Sequence, residues 1–348
     1  MVHDVVQTLS ATWSPFVLVA GLLLIGHVAS GEGLFRLIGA ACARVPGGGV
    51  PLFLVTMVAV ALVTAVLNLD TSVVFMTPVA LFAARAKGTD EKAFLYGTIF
   101  MSNSASLLLL GSNLTNLLVF SRSPTLGSAF ARHMAMPWVA AVVVTIAVVL
   151  VWRWRPLRHD GRAPERSATS FVFGPGVLAV GFAVLAMLFL RHPALWVFLV
   201  GLVTEIYDIT VKKRSTLRDA MTVTNPWTLS ILFVVAVAVG WFARFSTITV
   251  SLLRHASVAA TVATSAFASI VINNLPAASL FAAHRVAHPY ALLLGLDLGP
   301  NIAVTGALSS LLWLRIARRN GVRASVATFS IVGTVVAVLT IVCAAALL

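Results

Sequence analysis

Two apolar stretches of this chain are interrupted by asparagine where a continuous helix would otherwise be expected. The first interruption is V-L-N-L-D-T (Val66–Thr71) and the second is I-N-N-L-P (Ile272–Pro276). Each is followed by another polar break, S-N-S-A-S-L-L-L-L-G-S-N-L-T-N (Ser102–Asn116) and L-D-L-G-P-N-I-A-V-T-G-A-L-S-S (Leu296–Ser310). Amides, a carboxylate and helix breakers cost free energy in such surroundings. Their duplication points to one polar site assembled twice, a common construction in membrane carriers.

The surroundings are those of a lipid-embedded chain. Of 348 residues, 59% are hydrophobic and 10% charged, against about 25% charged in ordinary soluble domains. Several runs approach or exceed the ~20 residues that cross a bilayer as a helix. The fold class expected is an all-α polytopic membrane protein. The net charge of +13 does not imply a nucleic-acid partner, because the basic residues fall in loops between apolar spans. Cys42 and Cys343 lie near opposite ends without metal-ligand spacing, so neither a disulfide framework nor a metal site follows. The N-terminal residues Met1–Trp13 lack a basic stretch, so no cleaved signal peptide is expected.

The richest basic loops are Arg153–Arg166, Lys212–Arg218 and Arg315–Arg323, and the positive-inside bias places all three in the cytoplasm. Unbroken crossings throughout do not satisfy that bias, whereas two re-entrant hairpins do. Residues 1–152 then form a first repeat with a hairpin at 50–84 and a broken helix at 93–120. An Arg-rich cytoplasmic linker (153–175) and an additional helix pair (176–211) follow. Residues 212–348 form a second repeat with a hairpin at 258–283 and a broken helix at 289–314. Interfacial helices are expected at Leu34–Arg44 and Phe245–His255. Both halves have the same element order with opposite orientation, which defines inverted-topology repeats with two re-entrant hairpins and two broken transmembrane helices.

Non-helical backbone at membrane depth survives only where protein or a water-filled cavity satisfies it. At the hairpin tips, Asn68, Thr71, Asn273, Asn274 and Pro276 end one half-helix and begin the next, exposing N–H groups that can hold anions or hydroxyls. The broken spans supply hydroxyls and amides from Ser102, Asn103, Ser112, Asn113, Asn116, Asn301, Thr305 and Ser309. Gly299 and Pro300 break the second span. Asp70 and Asp297 are the acids expected near mid-membrane, where a carboxylate costs roughly 2.5–3.5 kcal/mol. Each is a candidate for carrying a proton or sodium ion, with a helix cap as the plainer alternative. Away from this set, His27 reads as a packed neutral imidazole, and Glu205 and Asp208 as salt-bridge partners of the nearby basic residues.

With these breaks in place the chain resembles the arsenical pump membrane protein family, arsenite/antimonite efflux permeases of the ion transporter superfamily. The resemblance is carried by Leu67–Pro78, Ser102–Asn116, Asn225–Trp227, Phe267–Pro276 and Gly295–Leu314. It implies that Asp70, Ser112, Asn113, Asn116, Asn273, Asn274, Pro276, Asp297, Gly299 and Pro300 match the family pattern. Three positions depart from it. Leu69 separates Asn68 from Asp70, where the family places Asn directly before Asp. Asn103 stands where the family has Asp, and Asn301 where it has Lys. The last two changes replace an acid and a base by neutral amides, which leaves Asp70 and Asp297 for coupling.

The resulting expectation is a secondary active transporter of the arsenite efflux type, proton-coupled and working by alternating access. The alternative is a sodium- or proton-coupled anion or dicarboxylate carrier of the same superfamily. No H-E-x-x-H motif, no Ser/His pair on a plausible span and no P-loop is found, so no enzyme, cofactor or built-in ATPase is expected. The partners are the lipid bilayer and a small inorganic or organic solute. A separate ATPase subunit and a homodimer stay open. The expected location is the inner (plasma) membrane, multi-pass.

Overall fold

The computed structural model describes residues 2–121, 125–158, 171–243, 245, 255–284 and 286–348, and these contain helices and turns but no strand. The first half comprises α1 (Val2–Gly31), α2 (Leu34–Ala43), α3 (Gly49–Leu67), α4 (Leu69–Ala86), α5 (Glu91–Ala105), α6 (Leu114–Val119), α7 (Gly127–Trp152) and the short turn α8 (Trp154–Leu157). Then come α9 (Pro175–Phe189), α10 (Ala194–Tyr207), α11 (Leu217–Thr224) and α12 (Pro226–Ala243). The chain ends with α13 (Val258–Ile272), α14 (Asn274–Ala282), α15 (Pro289–Leu298), α16 (Leu308–Arg319) and α17 (Val326–Ala345). Seven helices among the described residues are long and apolar enough to cross a membrane. Large apolar side chains such as Val234, Phe242 and Ile331 are exposed on them, as lipid contact requires.

The hairpins form because a single asparagine ends one helix and caps the next. Asn68 adopts φ 92° and Asn273 φ 74°, a left-handed region that asparagine tolerates better than other side chains. Asn68 Oδ1 then accepts from Thr71 N (2.8 Å) and Asn273 Oδ1 from Leu275 N (3.3 Å), so each tip stops α3 or α13 and starts α4 or α14. Pro276 falls in the first turn of α14, where its missing N–H leaves no helical bond unmade. The open end of the first hairpin is pinned by Lys87, whose ammonium donates to the carbonyls of Val45 and Gly47.

Helix α7 acts as a ruler between the two hairpins. Its 26 residues span about 39 Å at 1.5 Å per residue. At its C-terminal end Arg153 grips Asp90, the N-cap of α5, through Nε–Oδ2 at 2.6 Å and Nη2–Oδ1 at 2.7 Å. A Cβ on Gly49, where the first hairpin opens, would lie 2.7 Å from the Leu157 carbonyl just beyond. At its N-terminal end His133 stacks on Tyr290 at 3.9 Å, beside the open end of the second hairpin. The hairpins therefore enter the bundle from opposite ends. In each half the first hairpin arm runs parallel to the first part of the broken helix. Gly97 faces Phe53 and Met57, while Gly295 faces Ser265 and Gly299 faces Ser269.

Both broken helices occur where the polar runs lie. α5 stops at Ala105, a 3-10 turn spans Leu110–Ser112, and α6 resumes at Leu114. α15 stops at Leu298, two 3-10 turns cover Gly299–Asn301 and Val304–Gly306, and α16 resumes at Leu308. The element limits differ from expectation in three places. α7 begins at Gly127 rather than at Pro137, and His133 in its second turn stacks on Tyr290. The helix pair 176–211 runs from Pro175 to a π turn ending at Lys212. The short helix α11, closed by a Thr216/Asp219 capping box, precedes α12. Most of the linker, with Arg162 and Arg166, and most of Phe245–His255 lie outside the described residues.

Aromatic packing fixes the first half to the last two helices. Tyr96 packs on Trp152 and Trp313, and Phe329 on Phe100 and Trp313. Tyr96 Oη accepts from Ser325 N (2.7 Å) and donates to Ser325 O (3.1 Å). The ion pair Arg153–Asp90 is shielded, while Arg85–Glu91 (2.8 Å) is exposed. Asp90→Ala is accordingly expected to lower stability in detergent by about 2 kcal/mol through loss of pair and cap together, and Arg85→Ala by under about 1 kcal/mol. Thermal unfolding of the purified variants measures the difference.

Candidate functional site

The two breaks meet, and each half completes polar groups of the other. Asp297, at the end of α15, is 1% exposed. Its Oδ1 accepts from Asn113 Nδ2 (3.0 Å) and from Thr115 Oγ1 (2.5 Å), both in the first break. Its Oδ2 has no partner. Among the described residues no lysine, arginine or histidine forms an ion pair with it. A buried carboxylate held by two neutral donors on one oxygen is stabilised as an acceptor but not charge-compensated.

A second contact joins the halves through two of the three positions that depart from the arsenical pump pattern. Asn103 Nδ2 donates to Asn301 Oδ1 at 2.7 Å, and both residues are fully buried. The remaining atoms, Asn103 Oδ1 and Asn301 Nδ2, have no partner. Two amides thus meet where the family resemblance implies an acid and a base, and the bond between the halves survives without charge.

Not every predicted residue faces an open site. Ser112 uses its hydroxyl to close its own turn, donating to Ser106 O (2.5 Å) and accepting from Leu109 N (3.2 Å). Asn116 Nδ2 braces the same turn through Ser106 O (2.8 Å) and Leu109 O (3.2 Å), while its Oδ1 has no partner. Ser102 approaches Ser72, 3.4 Å away, and Ser72 accepts from Thr64 at 2.7 Å. In the second half, Asn273 Nδ2 donates to the carbonyl of Thr305 (2.9 Å), whose side chain is exposed. Gly299 lets α15 approach α13, since a Cβ there would sit 2.5 Å from Ser269 Oγ, and Pro300 follows in the 3-10 turn.

A small cleft brings together Asp70, Asn113, Thr115, Asn273, Asn274 and Ser309. Asp70 is half-buried in the first turn of α4, while Thr71 and Ser309 hold buried hydroxyls without partners and Asn68 an unpartnered Nδ2. Both hairpin tips therefore reach the breaks. Sequence reasoning missed Ser106, which receives Asn113 Nδ2 at 3.2 Å, and Ser72. The first belongs to the polar run Ser102–Asn116, but only the backbone path gives it a role. Glu205 takes the Ser215 hydroxyl at 2.7 Å and lies 3.7 Å from His27, while Asp208 meets Arg214 at 3.4 Å. That polar group sits apart from the breaks.

Residues 3–297 match the family model described as CitMHS, citrate transporter. The chain belongs to that family. It is also 26% identical to the arsenical pump membrane protein of Escherichia coli, over 74% of this chain and 67% of the relative. The arsenical pump membrane protein of Yersinia enterocolitica is 24% identical over 90% of this chain and 81% of its own length. An uncharacterized transporter of Mycobacterium tuberculosis is 25% identical over 96% and 85%. The crystal structure of the YdaH transporter of Alcanivorax borkumensis, described as having an unusual topology, covers 99% of this chain and 86% of that one. Its TM-score is 0.59 at 15% identity, so the likeness is one of fold. This member of the CitMHS family is a multi-pass secondary transporter.

The amide clasp gives a direct test of the junction between halves. Asn103→Ala and Asn301→Ala are each expected to cost about 1–3 kcal/mol by stranding the other amide. The double variant is expected to cost about 1 kcal/mol less than their sum. Thermal unfolding of all four proteins gives the coupling, and simple additivity would place the two amides out of contact.

Proposed function

We propose that the chain exports a small neutral hydroxylated oxyacid of the arsenite or antimonite type in exchange for protons, by alternating access at the junction of the two breaks. One observation carries the reading: Asp297 is buried among neutral donors, with no cationic partner among the described residues and with one free oxygen. A charged carboxylate in that position costs several kcal/mol. Its occlusion is therefore favoured when a proton has neutralised it, which links proton movement to the transport cycle. Amides and hydroxyls suit a neutral polyhydroxyl solute, and no thiol chemistry is needed, since Cys42 is buried away from the breaks and Cys343 lies in the last helix. Asp70, at the first hairpin tip, is the second candidate for proton or ion coupling.

On this reading the hairpins are re-entrant and the two repeats are inverted in the inner membrane, with the Arg-rich segment after α7 in the cytoplasm. Opposite entry of the two hairpins supports that arrangement, and the arginines at Arg153, Arg155 and Arg158 fit the positive-inside bias. A separate ATPase subunit and a homodimer are compatible partners.

A second reading has its own support. The match to the citrate transporter model and the helix N-termini at both hairpin tips favour a carboxylate solute, with Asn68 Nδ2 and Thr71 Oγ1 as free donors and a co-transported cation balancing charge. The two readings separate in proteoliposomes. The first predicts arsenite flux driven by a pH gradient, unaffected by citrate or sodium and reduced at least about tenfold by Asp297→Asn. Sodium-dependent flux that citrate or succinate competes for would establish the second instead.

A further inference from the structure

A sizeable cavity lies outside the polar junction. It measures about 510 Å³ and opens between α1, the turn at Leu110–Gly111 and the α9–α10 connection, with Trp13, Arg191 and Trp196 around it. Neither Asp70 nor Asp297 lines it. It is lined by Leu110 and Gly111 of the first break, next in sequence to Ser112 and Asn113.

Two apolar side chains of its lining, Met187 and Leu18, pack against Gly111. The thioether of Met187, near the end of α9, occupies the space that a side chain at position 111 would fill. A Cβ there would lie 2.1 Å from Met187 Sδ and 3.4 Å from Leu18 Cδ2. Met187 and Leu18 are both buried. α9 is fixed at both ends. Its first turn donates to the Glu32 carboxylate from Gly176 N (3.0 Å) and Val177 N (2.9 Å). At the other end the Met187 carbonyl presses on Gly127, where an added Cβ would sit 1.7 Å away. The backbone at Met187 is therefore held while its unbranched side chain keeps several rotamers. Gly127 begins α7, whose far end carries Arg153, so the cavity opens on the face opposite the arginine-rich turn.

We infer that this cavity is a vestibule for the transported solute and that Met187, seated in Gly111, is the gate separating it from Asn113 and Asp297. The inference rests on the proposed reading of the breaks as the transport site. With the gate shut, a polar solute meets an apolar wall. Rotation of the thioether away from Gly111 joins the vestibule to the amides without moving either helix.

Thiol accessibility tests this directly. In a background with Cys42→Ala and Cys343→Ala, Ser14→Cys reports the vestibule and Ser112→Cys the protected side. A membrane-impermeant methanethiosulfonate reagent applied from the face opposite the arginine-rich turn is expected to label Ser14→Cys rapidly and Ser112→Cys slowly. Met187→Ala is expected to speed labelling of Ser112→Cys at least about tenfold, while Met187→Leu, of similar volume, keeps it slow. An unchanged rate in Met187→Ala, or an unlabelled Ser14→Cys, would overturn the gate. Labelling does not require transport. Accelerated labelling in a protein that moves neither arsenite nor citrate would keep the gate and remove the transport reading instead.

Discussion

A backbone that stops being helical inside a membrane must find partners for its polar groups within the protein, and the rest of this structure follows from that requirement. Each broken helix here is completed by the other half. Asp297 of the second break is held by Asn113 and Thr115 of the first, and Asn103 bonds Asn301 across the same junction. The two hairpins, arriving from opposite ends, bring their tips to that junction. Neither half could leave these groups facing lipid, so the polar centre is also what ties the repeats together.

The same requirement divides residues that look alike in sequence. Ser112 and the Asn116 side-chain nitrogen satisfy the turn's own groups and so preserve the shape of the break, although Asn116 Oδ1 keeps no partner. Asp297, Asn103, Asn301, Thr71 and Ser309 keep atoms without protein partners. Groups of the second kind are the ones a solute, proton or ion can bind. At positions 103 and 301, where the resemblance implies an acid and a base, two amides form a neutral hydrogen bond between the halves.

Much of this was legible in the sequence. Asparagine in an apolar run has few structural uses, and the two tips at Asn68 and Asn273 fell where those residues stand because a left-handed φ and a helix cap suit the same side chain. The broken spans were visible as polar clusters, and loop arginines indicated a hairpin topology. Other features depend on the path of the backbone. The sequence places Asp70 and Asp297 on equal terms, but only Asp297 is embraced by the opposite half. Thr305 contributes its carbonyl rather than its hydroxyl, and α7 extends back to Gly127, with His133 meeting a distant tyrosine. No pattern marks Gly111 and Met187 as partners, since their contact joins two helices through one missing side chain.

The central claim is that Asp297 exchanges a proton as the junction takes up its solute. Proton uptake or release on adding arsenite to the purified protein in weakly buffered detergent tests it most directly. The account predicts a proton signal that saturates with arsenite and disappears in Asp297→Asn. Saturable arsenite binding with no proton exchange, or an unchanged signal in Asp297→Asn, would contradict it.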